Sequence, residues 1–114
     1  MTRGGAPEPV LLGSLEEQVM LAVLRTGDDA YGMSVRRELE RVTERDIAIG
    51  AVYATLDRLE AKGLVASSRA GTGGASRRVF SVTSDGARAL AQSRAMRDRL
   101  WRGVDVLRLL AGER

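Results

Sequence analysis

The sequence predicts a mainly helical fold with one small β-hairpin, an α+β arrangement that ends in a long C-terminal helix. Three observations predict it. Apolar residues recur at helical spacing in successive segments before Gly63. Two β-prone runs then flank Gly71-Thr72-Gly73-Gly74, and a helical pattern resumes after Thr83.

Residues 1–12 hold Gly4, Gly5, Pro7 and Pro9 with little to bury, which predicts a flexible tail. Residues 13–83 form the folded unit. Ser14, with Glu17 three residues on, has the pattern of a capping box, so the first helix is expected to start there. Leu15, Val19, Ala22 and Val23 make its apolar stripe, widened by Leu21 and Leu24, until Gly27-Asp28-Asp29 ends it. Tyr31-Gly32 opens the second helix. Met33, Val35, Leu39 and Val42 lie toward one side, and Arg36, Arg37, Glu38, Glu40 and Arg41 cover the other.

Asp46-Ile47-Ala48 is a candidate for a minor third strand. The third helix runs from about Gly50 to Lys62 with Val52, Leu56 and Leu59 as its core stripe, and Gly63 supplies a left-handed stop. A strand from Leu64 to Arg69, the glycine loop and a return strand at Val79-Phe80-Ser81-Val82 complete the hairpin.

Thr83 is placed to cap the last helix, and Asp85 suits the positive end of its dipole. Its pattern is read as continuous to about Ala111, so residues 84–112 would form one helix of about 42 Å. Leu90, Met96, Leu100, Trp101, Val104, Leu107 and Leu110 are its apolar positions, around a polar middle. Such a helix outreaches a domain this small, and the same helix from a second copy is the expected partner, giving a homodimer. A tail folded back on its own domain is the competing arrangement.

The 114 residues suit one domain with one modest core. Cysteine and histidine are both absent, which removes disulfides, thiol nucleophiles, imidazole chemistry and the usual metal ligands. No catalytic residue, metal or cofactor is expected. Without a long apolar run or an export signal, the expectation is a cytoplasmic protein with no membrane partner. Net charge is only +3, but Arg69, Arg77 and Arg78 flank the glycine loop and no acid stands between Lys62 and Ser84.

Three helices, a hairpin and a trailing helix, in that order, describe a winged helix-turn-helix. Opposite Val52, Leu56 and Leu59 the third helix carries Ala51, Ala54, Thr55 and Arg58, with Tyr53 at the flank. Small residues at Gly50, Ala51 and Ala54 would allow close approach to a groove floor. Arg58 has a donor for a guanine edge or a phosphate, and Tyr53 has a hydroxyl for a phosphate. Each has a simpler competitor: alanine favours helices anywhere, Tyr53 can be a boundary core residue, and Arg58 a solvated charge. Ala48, Ile49 and Gly50 offer no capping oxygen, so the first amides of the helix are open to a phosphate. Arg77 and Arg78 are neighbours on a strand and must face opposite ways, so one of the two is expected to point at DNA, with Arg69 across the hairpin as a further candidate.

These residues resemble the PadR family of bacterial transcriptional regulators. The similarity lies in the leucine-rich first helix, Tyr31-Gly32, Ile-Gly-Ala-Val-Tyr at 49–53, Leu-Asp-Arg-Leu-Glu-Ala-Lys-Gly-Leu-Val at 56–65, the wing's Gly-Gly and Arg-Arg, and Phe-Ser-Val-Thr-Ser-Asp-Gly at 80–86. It covers roughly Leu12 to Leu90. The resemblance implies a homodimeric repressor, released by a small molecule or another signal; a dimer should in turn suit a near-palindromic operator. It implies that Gly50–Tyr53 enters the major groove, that wing arginines touch the backbone, and that the last helix forms the dimer. A serine common in the family is replaced by Ala48. The short tail resembles a subgroup in which hydrophobic compounds bind beside a tryptophan of the last helix, which makes Trp101 a possible ligand contact as well as a dimer residue. The alternative function is a winged-helix module for protein–protein contacts without DNA binding.

Overall fold

The computed structural model describes residues 11–71 and 76–112. Its elements are α1 (Ser14–Thr26), a 3-10 turn (Gly27–Asp29), α2 (Gly32–Thr43), α3 (Ile49–Ala61), β1 (Val65–Ala70), β2 (Arg77–Val82), α4 (Ser84–Trp101) and α5 (Val106–Leu110). Residues 1–10 of the proposed tail and residues 72–75, which include most of the glycine loop, lie outside the described residues; Leu12, inside the proposed tail, packs against the core.

Helices α1, α2 and α3 pack against one another, and the hairpin closes the side of the bundle formed by α1 and α3. Strands β1 and β2 are antiparallel, in register from Val65 opposite Val82 to Ala70 opposite Arg77. Val19, Met20, Val35, Leu56, Leu59 and Phe80 are among the buried side chains of the single core. Removing that apolar surface from water is what chiefly holds the bundle together.

Local chemistry explains most boundaries. Gly63 adopts φ +76°, the left-handed stop expected for α3, and the Leu64 amide donates back to the Leu59 carbonyl at 2.9 Å. Thr83 caps α4: its Oγ1 accepts from the Gly86 amide at 3.0 Å and donates to the Gly63 carbonyl at 2.7 Å. One hydroxyl thus ties the end of α3 to the start of α4. Arg97 reaches from α4 to Glu17 of α1, and Lys62 donates from Nζ to Glu16 Oε2 at 2.7 Å.

Several expectations are corrected. The cap residue of α1 is Gly13 rather than Ser14, and Glu16 rather than Glu17 accepts from the cap amide, at 2.9 Å. The α1 stripe of Leu15, Val19, Ala22 and Val23 faces the core as expected, but it widens through the fully buried Met20, whereas Leu21 and Leu24 lie on the opposite side of the helix and are exposed. Met33 and Val42 are likewise exposed. Residues 46–48 form no strand: the Ile47 backbone is held by side chains of α2, with its amide donating to Glu40 and its carbonyl accepting from Arg36. The hairpin instead gains a bridge between Tyr31 and Val79, beside a 2.7 Å bond from the Phe80 amide to the Ala30 carbonyl. Thr55 is fully buried, since it follows Val52 by three positions and precedes Leu59 by four.

The largest correction concerns the C-terminal helix, which is not continuous. It ends at Trp101, Gly103 turns at φ +80°, and Asp105 Oδ1 caps α5 by accepting from the Arg108 amide at 3.2 Å. The 18 residues of α4 span about 27 Å instead of 42.

Glu38 joins α2 to α1. It receives Arg41 at 2.7 Å and Arg25 at 2.6 Å. Hydrogen bonds from Arg41 foremost, then Arg25, hold its carboxyl down to about 2 from an ordinary 4.5. The folded-state value is depressed, so this contribution to stability is present above about 4.5 and is lost as pH falls toward 2. A carboxyl NMR titration should give a Glu38 midpoint near 2, and Arg41→Gln should move it upward. A wild-type midpoint at the ordinary value would refute the arrangement.

Candidate nucleic-acid interface

The outward side of α3 is built from small residues. Gly50 and Ala54 are exposed, Ala51 is half-buried, and a methyl placed on Gly50 would meet nothing within 4 Å. No side chain caps this helix start: the Ala48 carbonyl accepts from Ala51 and Val52, and no oxygen comes back to the first amides. Arg58 stands exposed one turn further along and donates to Thr55 Oγ1 at 3.2 Å, which steadies its guanidinium.

Tyr53 is partly exposed and lies across the start of α2. A Cβ on Gly32 would sit 2.3 Å from the Tyr53 ring, so only glycine permits this approach. The hydroxyl end of the Tyr53 ring therefore packs on Gly32, as the boundary reading expects, while the residue as a whole stays partly exposed.

The wing arginines diverge as strand alternation requires. Arg78 turns toward α3, where it meets Asp57 at 2.9 Å, Glu60, and Ser67 Oγ at 3.2 Å, with its guanidinium 4.8 Å from the centre of the Phe80 ring. Asp57 foremost, then Glu60 against the effect of burial, pushes the Arg78 pKa up. Arg77 turns the other way and stacks over Tyr31, 4.0 Å from the ring centre. Arg69 lies opposite Arg78 in the register and is exposed. Among the described residues neither Arg69 nor Arg77 forms an ion pair, so their charges are not neutralised as that of Arg78 is.

Sequence reasoning passed over Tyr31 and Arg37. Arg37 Nη2 donates to the Tyr31 hydroxyl at 2.8 Å, which brings a second guanidinium to the ring that Arg77 covers.

Of the expected dimer residues, Leu90 is partly buried against its own core, whereas Met96, Leu100, Trp101, Val104 and Leu107 are exposed. The half-exposed Leu21 and Leu24 of α1 line an open groove of about 490 Å³ with Leu90 and Ala91 of α4; Trp101 does not line it. Among the described residues no helix is long and apolar enough to cross a membrane, and no cluster of acidic residues could hold a metal ion.

A three-helix bundle with an uncapped, small-faced third helix beside a basic hairpin is the architecture of a winged helix-turn-helix. The chain belongs to the PadR-like family of transcriptional regulators, which matches residues 20–92. It is 36% identical over 77 residues to the transcriptional regulator Rv3488 of Mycobacterium tuberculosis, covering 68% of this chain and 71% of that protein. A PadR family transcriptional regulator from Eggerthella lenta is similar in structure at 29% identity and a TM-score of 0.64, covering 82% of this chain and 86% of that one. A PadR-like transcription factor from Bacteroides fragilis shares the fold with a TM-score of 0.68 at 22% identity, over 82% and 88% of the two chains.

Proposed function

We propose that the protein is a cytoplasmic homodimeric repressor that binds a near-palindromic operator in double-stranded DNA and releases it in response to a signal. The observation that carries this reading is the coexistence of two uncovered surfaces. One is the small-residue face of α3 beside the wing. The other is the apolar end of the chain, where Leu100, Trp101, Leu107 and Leu110 are all exposed. The first suits a groove, and the second suits another copy. A radius of gyration of 17.3 Å, against about 13 Å for a compact chain of this length, supports an arm that reaches beyond its own domain.

In this reading Gly50, Ala51 and Ala54 approach the major-groove floor, and Arg58 reads a base edge or holds a phosphate. Tyr53, Arg69 and Arg77 contact the backbone. Arg78 contributes mainly by bracing the wing on α3, because two carboxylates already neutralise it. The second copy seats along α4 and the Leu21–Leu24 ridge. A hydrophobic effector would meet the dimer beside Trp101.

A salt titration on a random-sequence duplex tests the reading. A dimer that neutralises about 6–10 phosphates should lose roughly 10³–10⁵-fold in affinity between about 50 and 200 mM salt. Absence of binding at low salt would leave the protein-interaction alternative standing instead. On a selected operator, Arg58→Ala should cost about 1–3 kcal/mol and relax discrimination at one base pair if Arg58 reads an edge. Uniform weakening across sequences assigns it to phosphate.

A further inference from the structure

We propose that Tyr31, Arg37 and Arg77 form a phosphate clamp that seats the DNA backbone beside the groove entered by α3. The proposal rests on the DNA-binding reading and adds a site on α2 to it.

The geometry begins with one phenol ring and two guanidiniums. The guanidinium carbon of Arg77 lies over the Tyr31 ring, 4.0 Å from its centre, while that of Arg37 lies 5.7 Å from the centre and its Nη2 donates to the hydroxyl at 2.8 Å. Arginine carries five N–H donors, so the contact of Arg77 with one phenol leaves most of them to other acceptors. Arg37 uses one N–H on the hydroxyl and keeps the others. Among the described residues no carboxylate pairs with either cation, although Arg25, Arg36, Arg41, Arg78, Arg88 and Arg97 all have acidic partners. Two like charges held around one ring repel each other, and an anion set between their free edges would remove that repulsion. Hydrogen bonds from Arg37, then Arg77, hold the Tyr31 phenol below its usual range, which registers the same excess of positive charge.

Position selects the occupant. Tyr31 bridges to Val79 of β2, and the adjoining Gly32 supports the Tyr53 ring of α3. The cluster thus lies where the base of the wing, the start of α2 and the reading helix converge. A phosphate has the charge and the several acceptor oxygens that two guanidinium edges require. The strand flanking the groove read by α3 would bring one to that place.

The test uses the full chain and a fluorescent random-sequence duplex, with binding measured across a salt series. Arg37→Gln should reduce the slope of log affinity against log salt by about 0.9 for each phosphate it ceases to neutralise. Tyr31→Phe keeps the ring under Arg77 but releases Arg37, and should weaken binding in the same direction by a smaller factor. Arg88→Gln, on the exposed side of α4, should leave the slope unchanged. If the wild-type protein shows no salt-dependent binding, the DNA reading itself fails. If it binds and Arg37→Gln keeps the wild-type slope, the clamp is overturned, whether or not Arg77→Gln weakens binding. A lowered melting temperature with an unchanged slope would make Arg37 a structural brace and also overturn it.

Discussion

Replacing Gly86 with alanine is expected to destabilise the protein, although helix propensity alone favours the change. Gly86 lies in the first turn of α4, and alanine in a helix is more favourable than glycine by about 1 kcal/mol. A Cβ at this position, however, would sit 2.1 Å from the Leu64 carbonyl oxygen, 2.8 Å from Val82 Cγ1 and 3.0 Å from Met20 Cε. The oxygen is backbone and already accepts from the Thr83 amide at 3.1 Å, so it cannot retreat without disturbing the joint between β1 and α4. Overpacking of this kind costs about 1–3 kcal/mol or more, and the clash here is with rigid backbone, so packing should outweigh propensity. At about 4–8 °C per kcal/mol for a domain of this scale, the melting temperature should fall by roughly 5–15 °C. Gly50→Ala is the matched contrast. It is also helical but has open space around it, so its melting temperature should hold or rise. A Gly86→Ala protein that melts no lower than wild type would disprove the close approach.

How far the sequence carried the fold can be judged from particular residues. The α3 stop, the Thr83 cap and the order of elements rest on local chemistry, and local chemistry is legible in a chain. Gly63 needs a positive φ, and Thr83 needs only the amide three residues on. The direction of the α1 stripe was legible in Leu15, Val19, Ala22 and Val23, all of which meet the core. The same helical period sets Leu21 and Leu24 on the opposite side, so their apolar character alone suggested a wider stripe than the packing has. The break after Trp101 carried a local signal, Gly103 followed by the capping Asp105. The apolar spacing of Val104, Leu107 and Leu110 masked it by continuing the helical period across the turn. In the interface, alternation established that Arg77 and Arg78 part. Which one is neutralised depended on Asp57 and Glu60, one turn apart on α3 and brought under the wing only by folding. Tyr31 and Arg37 were passed over because an arginine on the polar side of a helix reads as a solvated charge.

Truncating the chain after Arg99 is expected to yield a monomer and to abolish tight operator binding while leaving the winged domain folded. The deletion removes Leu100, Trp101, Val104, Val106, Leu107, Leu109 and Leu110, every one of them exposed in the single chain. None belongs to the core, whose last members are Ala89 and the packed Leu90, so the melting temperature at low concentration should change little. Binding should change greatly. A half-site engaged by one α3 and one wing offers mostly small side chains and a few arginines. In a dimer the second domain binds as an intramolecular event at high effective concentration, which raises overall affinity by about 10²–10⁴-fold. The truncated chain should therefore elute as a monomer by size-exclusion with light scattering, and bind the operator weaker by about that factor. The break at Gly103 sharpens the experiment. Ending the chain at Arg102 removes α5 but keeps Leu100 and Trp101, so comparing the two ends separates the contribution of α4 from that of α5. If the chain ending at Arg99 remains dimeric, the partner surface must lie elsewhere. The groove between Leu21, Leu24 and Leu90 would then have to bind the second copy without the distal arm.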